Sequence, residues 1–137
     1  MFRVGSVFIP VANLEQSSKW YEENLGVKKI DQWDGGAGFY FPESDTQLGL
    51  VSVDSPQISE FTAGQGQKNG YFNFVVEDIH EAYASFNNKG ICTSDIREFG
   101  GMKFFDFFDL DGNPFSVVDE VKDSPFHREN VRKMQVK

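Results

Sequence analysis

The chain has 137 residues, with 21 acidic side chains against 13 basic ones and a formal net charge of −8. A chain this acidic has little with which to neutralise phosphate groups, which excludes nucleic acids and anionic membranes as partners. Aromatic residues make up 15% of the chain, which is incompatible with disorder. The single Cys92 forbids an internal disulfide, and no apolar stretch approaches the ~20 residues of a membrane helix. These features together predict a cytoplasmic protein.

The chain begins with an apolar strand that leads into a helix. Residues 7–11 are apolar, and Asn13 stands at the expected helix cap. Gln16, three residues later, completes a close relative of the capping box. Gly26 stands where a left-handed C-terminal cap would end the helix. The strands predicted after this helix are residues 27–32, 39–41 and 48–53.

The same order of elements recurs in the second half of the chain. The mostly apolar residues 72–76 lead to Asp78, with Glu81 three residues on, and an amphipathic helix follows as far as Gly90. The strands predicted next are residues 91–96, 104–108 and 114–118. The sequence therefore predicts an α+β fold built from two βαβββ modules.

The repeat also sets the predicted domain boundaries. One domain spans residues 1–120, with module one at 2–54 and module two at 70–119. The linker 55–69 contains one Pro, two Gly, three Gln and one Asn, which is typical of a surface loop. Ser124-Pro125 predicts the start of a helix in a C-terminal tail at 121–137.

Several motifs carry a family resemblance. They are Val11-Ala12-Asn13-Leu14-Glu15, Ser18-Lys19-Trp20-Tyr21, Leu25-Gly26, Val76-Glu77-Asp78-Ile79 and Asp109-Leu110-Asp111-Gly112-Asn113-Pro114. With this set in order and doubled, residues 2–119 resemble the vicinal oxygen chelate superfamily of glyoxalases, bleomycin-resistance proteins and extradiol dioxygenases. The resemblance implies one cup-shaped mixed sheet with helices outside, a small-molecule ligand inside the cup, and a homodimer.

Enzymes of that family hold a divalent ion with His, Gln or Glu at the start of each module's first strand and on its last strand. The positions that the resemblance assigns to these ligands hold Ser6, Tyr71, Ser116 and Gly49, with Gln47 one strand period away. A hydroxyl is neutral, a phenol keeps its proton near neutral pH, and glycine has no side chain. A hard dication prefers charged or strongly basic ligands. We therefore expect no metal and no cofactor, and no Lewis-acid route to lyase or dioxygenase chemistry.

Side chains alternate across a strand, so residues with the parity of the lost ligand positions should line the cup. This selects Ser6 and Phe8 on the first strand, and Tyr71 and Asn73 on the fifth.

The last two strands add further lining residues. A two-residue hairpin at Asp111-Gly112 would set Phe107 opposite Ser116 and would put Phe105 on the same face. This register turns Asp106 away from the cup, whereas a bulge or a three-residue loop would reverse its direction. The predicted ligand-binding residues are therefore Ser6, Phe8, Tyr71, Asn73, Phe105, Phe107 and Ser116.

We favour a metal-free binding protein, similar to the bleomycin-resistance branch, that holds a small aromatic or amphipathic molecule. One alternative is a glyoxalase- or dioxygenase-type enzyme with an atypical metal site. Another is an interaction module whose cup is filled by its own side chains or by another subunit. Trp20 and Trp33 could be core, dimer-interface or ligand-stacking residues, and the sequence leaves this open.

Overall fold

The computed structural model describes residues 1–136, which contain three α-helices and two four-stranded sheets. In chain order the elements are β1 Ser6–Val11, α1 Leu14–Leu25, β2 Lys28–Trp33, β3 Gly36–Phe41, β4 Ser44–Ser52, β5 Glu60–Thr62, β6 Lys68–Gly70, β7 Asn73–Val76, α2 Ile79–Asn88, β8 Arg97–Phe99, β9 Met102–Phe108, β10 Pro114–Asp119 and α3 Arg128–Gln135. The β-α-β-β-β order occurs in both halves, so the predicted α+β fold of two modules is confirmed.

The chain divides into two compact units. Unit one comprises residues 1–72 and 108–114, and unit two comprises residues 73–107 and those from 115 onward. The strand order is β1-β4-β3-β2 in unit one and β7-β10-β9-β8 in unit two. In each unit the first strand pairs in parallel with the last strand, β1 with β4 and β7 with β10.

The helix caps follow the sequence prediction. The Asn13 side chain accepts a hydrogen bond from the Gln16 backbone N–H, and Asp78 accepts one from Glu81. Gly26 ends α1 with φ of 69°, a backbone conformation that glycine adopts without steric cost. Local residue types therefore determine where α1 and α2 begin.

The sheet of unit one buries one of its two faces. Ile9 and Val11 are fully buried, whereas Phe8, the residue before Ile9, is 61% exposed. The same alternation places Phe39 and Leu48 in the core, and α1 packs against β3 and β4. The opposite face of this sheet, which carries Phe8, is not part of this core.

Unit two has an aromatic core between its sheet and α2. Phe105 and Phe107 are fully buried. The ring of Phe86 on α2 meets Phe107 edge to face at 4.8 Å between centroids, and Tyr83 meets Phe105 in the same way at 5.2 Å. Phe107 also contacts the rings of Phe74 and Phe115.

The connection between β9 and β10 is longer than predicted. The Asp109 N–H donates to the Asn113 carbonyl at 3.2 Å, which closes a three-residue loop at Leu110–Gly112 rather than a two-residue hairpin. Gly112 has φ of 80°, in the left-handed region that such a loop requires.

The extra loop residue shifts the strand register by one position, and a shift of one turns every side chain to the other face. The prediction that Phe105 and Phe107 share a face with Ser116 was therefore wrong, because both rings lie in the core against α2. Asp106 shares the face of Ser116 instead, and the Ser116 hydroxyl donates to the Asp106 Oδ1 at 2.7 Å.

Two smaller differences concern the linker and the second strand of the second module. The segment predicted as a surface loop contains the hairpin β5–β6, closed by a 3₁₀ turn at Gly64–Gly66. The strand predicted at 91–96 is reduced to a single bridge at Thr93, and pairing resumes in β8.

The C-terminal helix begins later than predicted. Ser124 caps a turn by accepting from the Phe126 N–H, and α3 starts at Arg128 behind a His127 cap. The last residue of the predicted tail, Lys137, lies outside the described residues. None of the helices within residues 1–136 is long and apolar enough to cross a bilayer.

A buried polar network holds the loop at 109–113 within unit one. The Asp109 carboxylate accepts hydrogen bonds from the Tyr21 hydroxyl, the Asp111 and Asn113 backbone N–H groups and the Asn113 side-chain amide. Tyr21 and Asn113 are fully buried. The Asn113 amide also donates to the Pro10 carbonyl, so this network ties the loop to β1 and α1.

The Tyr21 hydroxyl should make the folded protein less stable at alkaline pH. Burial, and then the neighbouring Asp109 carboxylate, raise the pKa of Tyr21 well above its usual range. An unfolded tyrosine loses its proton above about pH 10. Unfolding therefore releases a proton at high pH, and the free energy of unfolding should fall by up to about 1.4 kcal/mol per pH unit above that point.

Urea denaturation between about pH 8 and about pH 11 measures this slope, which should be reduced in Tyr21→Phe. The control is Tyr40→Phe, since Tyr40 is 42% exposed, and it should keep the wild-type slope. Equal slopes in wild type and Tyr21→Phe would show that Tyr21 does not cause the loss of stability at high pH.

Candidate functional site

Three glycines lie close together on the sheet face of unit one that is opposite α1. We call this surface the glycine face. Gly38 and Gly49 are cross-strand partners, and Gly36 lies two residues along β3. A Cβ at Gly49 would lie 2.6 Å from the Phe8 ring, and one at Gly36 would overlap the Trp33 indole. Both rings can lie flat on the sheet only because these positions have no side chain.

The rings on the glycine face are exposed. Phe8 is 61% exposed and Trp33 is 50% exposed. Gly38 lies between them in the sheet, and a Cβ there would meet only the Trp33 ring, at 3.7 Å. The glycine face therefore presents two aromatic rings beside a strip of bare backbone. Trp33 is not a core residue of unit one, whereas Trp20 is half-buried and packs edge-on against Tyr21.

Polar groups border the glycine face. Ser6 and Gln47 are cross-strand partners on β1 and β4, next to the row that contains Phe8 and Gly49. Asp31 is the β2 partner of Gly38. The face therefore combines apolar rings with neutral hydrogen-bonding groups and one carboxylate.

The donors at the family's metal positions do not fit a divalent cation. Ser6 offers a hydroxyl and Gln47 a neutral amide, and the Ser116 hydroxyl is engaged with Asp106. Within residues 1–136 no three His, Cys, Asp or Glu side chains come together in a group that could hold a metal ion. Neutral oxygen donors in this number are too weak to replace the hydration shell of a hard dication.

The sheet of unit two also has a polar cluster, on the face opposite α2. Asn73 and Ser116 are cross-strand partners on that face. Asp106 accepts from Ser116 through Oδ1 and pairs with Arg97 through Oδ2, at 2.7 and 2.6 Å. The cluster thus contains two of the predicted ligand-binding residues, with an ion pair that the sequence did not predict.

Tyr71 lies apart from the strand on which it was expected. It follows β6 in unit one, is 67% exposed, and its ring is tilted against Phe61 at 5.1 Å between centroids. Strand β7 begins two residues later, at Asn73.

The sequence contains a signal for the glycines of this face, although not for the rings that lie on them. The run Gly36-Ala37-Gly38-Phe39 and the run Leu48-Gly49-Leu50 alternate glycine with larger apolar residues. Glycine inside a strand is typical of a close approach by another group. No comparable signal marks Arg97, because its pairing with Asp106 depends on the register of β8 and β9.

Comparison with known proteins identifies the family. The chain belongs to the Glyoxalase/Bleomycin resistance protein/Dioxygenase superfamily, whose model matches residues 3–117. It is 24% identical to the lactoylglutathione lyase of Schizosaccharomyces pombe in an alignment that covers 90% of this chain and 49% of that protein. The chain therefore spans about half the length of this relative.

Solved structures share the fold. A superfamily member from Sphaerobacter thermophilus is 24% identical with a TM-score of 0.70, covering 88% of this chain and 98% of that one. TnmS3, an antibiotic-binding protein from a Streptomyces species, is 17% identical with a TM-score of 0.69, covering 87% and 96%.

Proposed function

We propose that this protein binds a small aromatic or amphipathic molecule on the glycine face, without a metal ion. The observation that carries the proposal is the pair of exposed rings, Phe8 and Trp33, lying on glycines beside the bare backbone of Gly38. The predicted contacts Ser6 and Phe8 belong to this face. Tyr71 in unit one, and Asn73 and Ser116 in unit two, stay predicted contacts apart from this site, whereas Phe105 and Phe107 are buried against α2.

The energetics favour a planar ligand. Covering about 100 Å² of apolar ring surface contributes about 2.5 kcal/mol. Offset or edge-to-face contact with an aromatic ring adds about 0.5–1.5 kcal/mol. A flat ring can reach the backbone at Gly38 while it touches Trp33, and Gln47 and Ser6 can form hydrogen bonds with polar substituents.

Two further points support this proposal. The donors at the positions that the resemblance assigns to metal ligands are neutral and few. TnmS3, which has the same fold, is an antibiotic-binding protein.

Gly38→Val is expected to lower the affinity for 2-naphthamide at least tenfold while the fold is retained. The new side chain would occupy the strip beside Trp33, where its Cβ makes only an ordinary contact at 3.7 Å. Valine is also favoured in strands, so we expect no loss of stability. Binding is followed by the NMR shift of the Trp33 indole N–H, and folding by thermal unfolding.

The matched control is Gly5→Val, because a Cβ at Gly5 meets nothing within 4 Å. This variant should bind as the wild type does. Equal affinity in the two valine variants would overturn the proposal, as would the absence of a saturable wild-type shift at about 10 mM probe, a concentration that detects even millimolar affinity.

A second candidate function is lactoylglutathione lyase activity, favoured by the relative from Schizosaccharomyces pombe. The test is metal analysis by mass spectrometry after incubation with nickel or zinc and desalting, followed by a lyase assay. One ion per chain together with lyase activity would establish this function and contradict the metal-free proposal. Near-zero occupancy without activity would exclude it.

A further inference from the structure

The guanidinium of Arg97 is held in a defined orientation on the face of unit two opposite α2. We propose that Arg97 forms a binding site for the carboxylate group of a small organic molecule. This site lies in unit two, so the inference does not depend on ligand binding at the glycine face of unit one.

Two contacts fix the guanidinium plane. One terminal amino group of Arg97 lies 2.6 Å from Asp106 Oδ2. The guanidinium carbon lies 4.6 Å from the centroid of Phe104, the cross-strand partner of Arg97. An ion pair and a cation–π contact together restrain a side chain that would otherwise sample many rotamers.

Asp106 is itself anchored. Its second carboxylate oxygen accepts from the Ser116 hydroxyl at 2.7 Å, and its backbone N–H donates to the Ser94 hydroxyl at 2.8 Å. Asp106 is therefore a positioning residue that orients Arg97. The guanidinium is therefore already ordered in the free protein. A ligand that binds to it loses less free energy to side-chain ordering.

Arg97 retains donors for a ligand. A guanidinium has five N–H donors in a planar fork, and within residues 1–136 the hydrogen bond to Asp106 involves only one terminal amino group. The side chain is 51% exposed, so the remaining donors are accessible. A planar anion with two oxygens matches this fork, and a carboxylate is the simplest such group.

An apolar side chain beside Arg97 can contact the carbon skeleton of the ligand. Phe99 lies two residues along β8, on the same face, and is 77% exposed. The site is therefore suited to a carboxylate carried by an apolar or aromatic skeleton rather than to a free inorganic anion.

The test compares 2-naphthoate with 2-naphthamide, which differ in the carboxylate alone, by NMR titration of the whole chain. The Arg97 Nε–H reports on the proposed site, and the Trp33 indole N–H reports on the glycine face. We expect 2-naphthoate to shift the Arg97 signal saturably and to bind there at least tenfold more tightly than 2-naphthamide. A response at Arg97 with none at Trp33 would support this site while contradicting the proposed function.

Three variants separate the roles of charge and geometry. Their affinity for 2-naphthoate is measured from the backbone amide shifts of β8 and β9, because the Arg97 side-chain signal is absent from two of them. Arg97→Gln should lower the affinity at least tenfold, and Arg97→Lys, which keeps the charge but not the fork, should not restore it. Arg128→Gln is the control, because Arg128 pairs with Glu77 and Glu120 at 3.6 and 3.3 Å on another part of unit two. This control should bind as the wild type does.

Four outcomes would overturn the inference. They are equal affinity at Arg97 for the two probes, an unchanged affinity in Arg97→Gln, full affinity in Arg97→Lys, and no saturable shift at about 10 mM naphthoate, where even millimolar binding is visible. Thermal unfolding checks that each variant is folded. We expect the Arg97 variants to fold, because this side chain is exposed and lies on the edge strand β8.

Discussion

Asp109→Ala is expected to lower the free energy of unfolding by about 3–5 kcal/mol. The Asp109 carboxylate is only 8% exposed and accepts hydrogen bonds from Tyr21, Asp111 and Asn113. Its removal leaves the buried Tyr21 hydroxyl and the Asn113 groups without their acceptor. Buried donors without partners each cost about 1–3 kcal/mol. Urea denaturation at neutral pH measures the change.

Asp111→Ala is the matched control for this prediction. Asp111 lies in the same loop, but among the described residues 1–136 its side chain accepts a single hydrogen bond, from the Ala12 N–H. We expect a loss of about 1 kcal/mol. A comparable loss in the two variants would show that the loop does not depend on a buried carboxylate at Asp109.

Phe107→Ala is expected to lower the free energy of unfolding by about 3–5 kcal/mol, since it opens a cavity in the aromatic core of unit two. The Phe107 ring is fully buried and contacts Phe74, Phe86 and Phe115. The loss of this ring removes contacts with α2 and with two strands. Thermal and urea unfolding measure the effect.

Phe104→Ala is the control, and it distinguishes the two possible registers of β9. Phe104 lies on the other face of the strand, beneath the exposed Arg97 guanidinium, and it is only half-buried. We expect it to cost less than about 1.5 kcal/mol, a value typical of a partly exposed side chain. A large loss in Phe104→Ala with a small one in Phe107→Ala would favour the register of a two-residue hairpin.

The elements were predictable because their signals are local. Asn13 and Asp78 are good helix caps wherever they occur before an amphipathic segment, and Gly26 is suited to a left-handed helix end. Their recurrence in both halves of the chain predicted two βαβββ modules, and the structure has this order. Where the local signals were weak, as at Thr93 and in the linker, the strand boundaries were wrong.

The direction of side chains on β9 was not predictable from the same evidence. Asp111-Gly112 is compatible with a two-residue or a three-residue connection. The network around Asp109 and Asn113, which ties the loop to Tyr21 and Pro10, stabilises the longer one. These partners lie far away along the chain, so no local pattern reports them.

The sequence by itself determined the order of the elements in the two modules, the family resemblance, and the weakness of Ser6 and Ser116 as metal ligands, because each depends on residue types and their spacing along the chain. Only the tertiary structure decided that Phe107 lies in the core while Asp106 meets Arg97, and that Phe8 and Trp33 rest on glycines. The physical reason is that strand side chains alternate with a period of two. One residue of loop length therefore exchanges the two faces of a strand, and long-range hydrogen bonds decide that length.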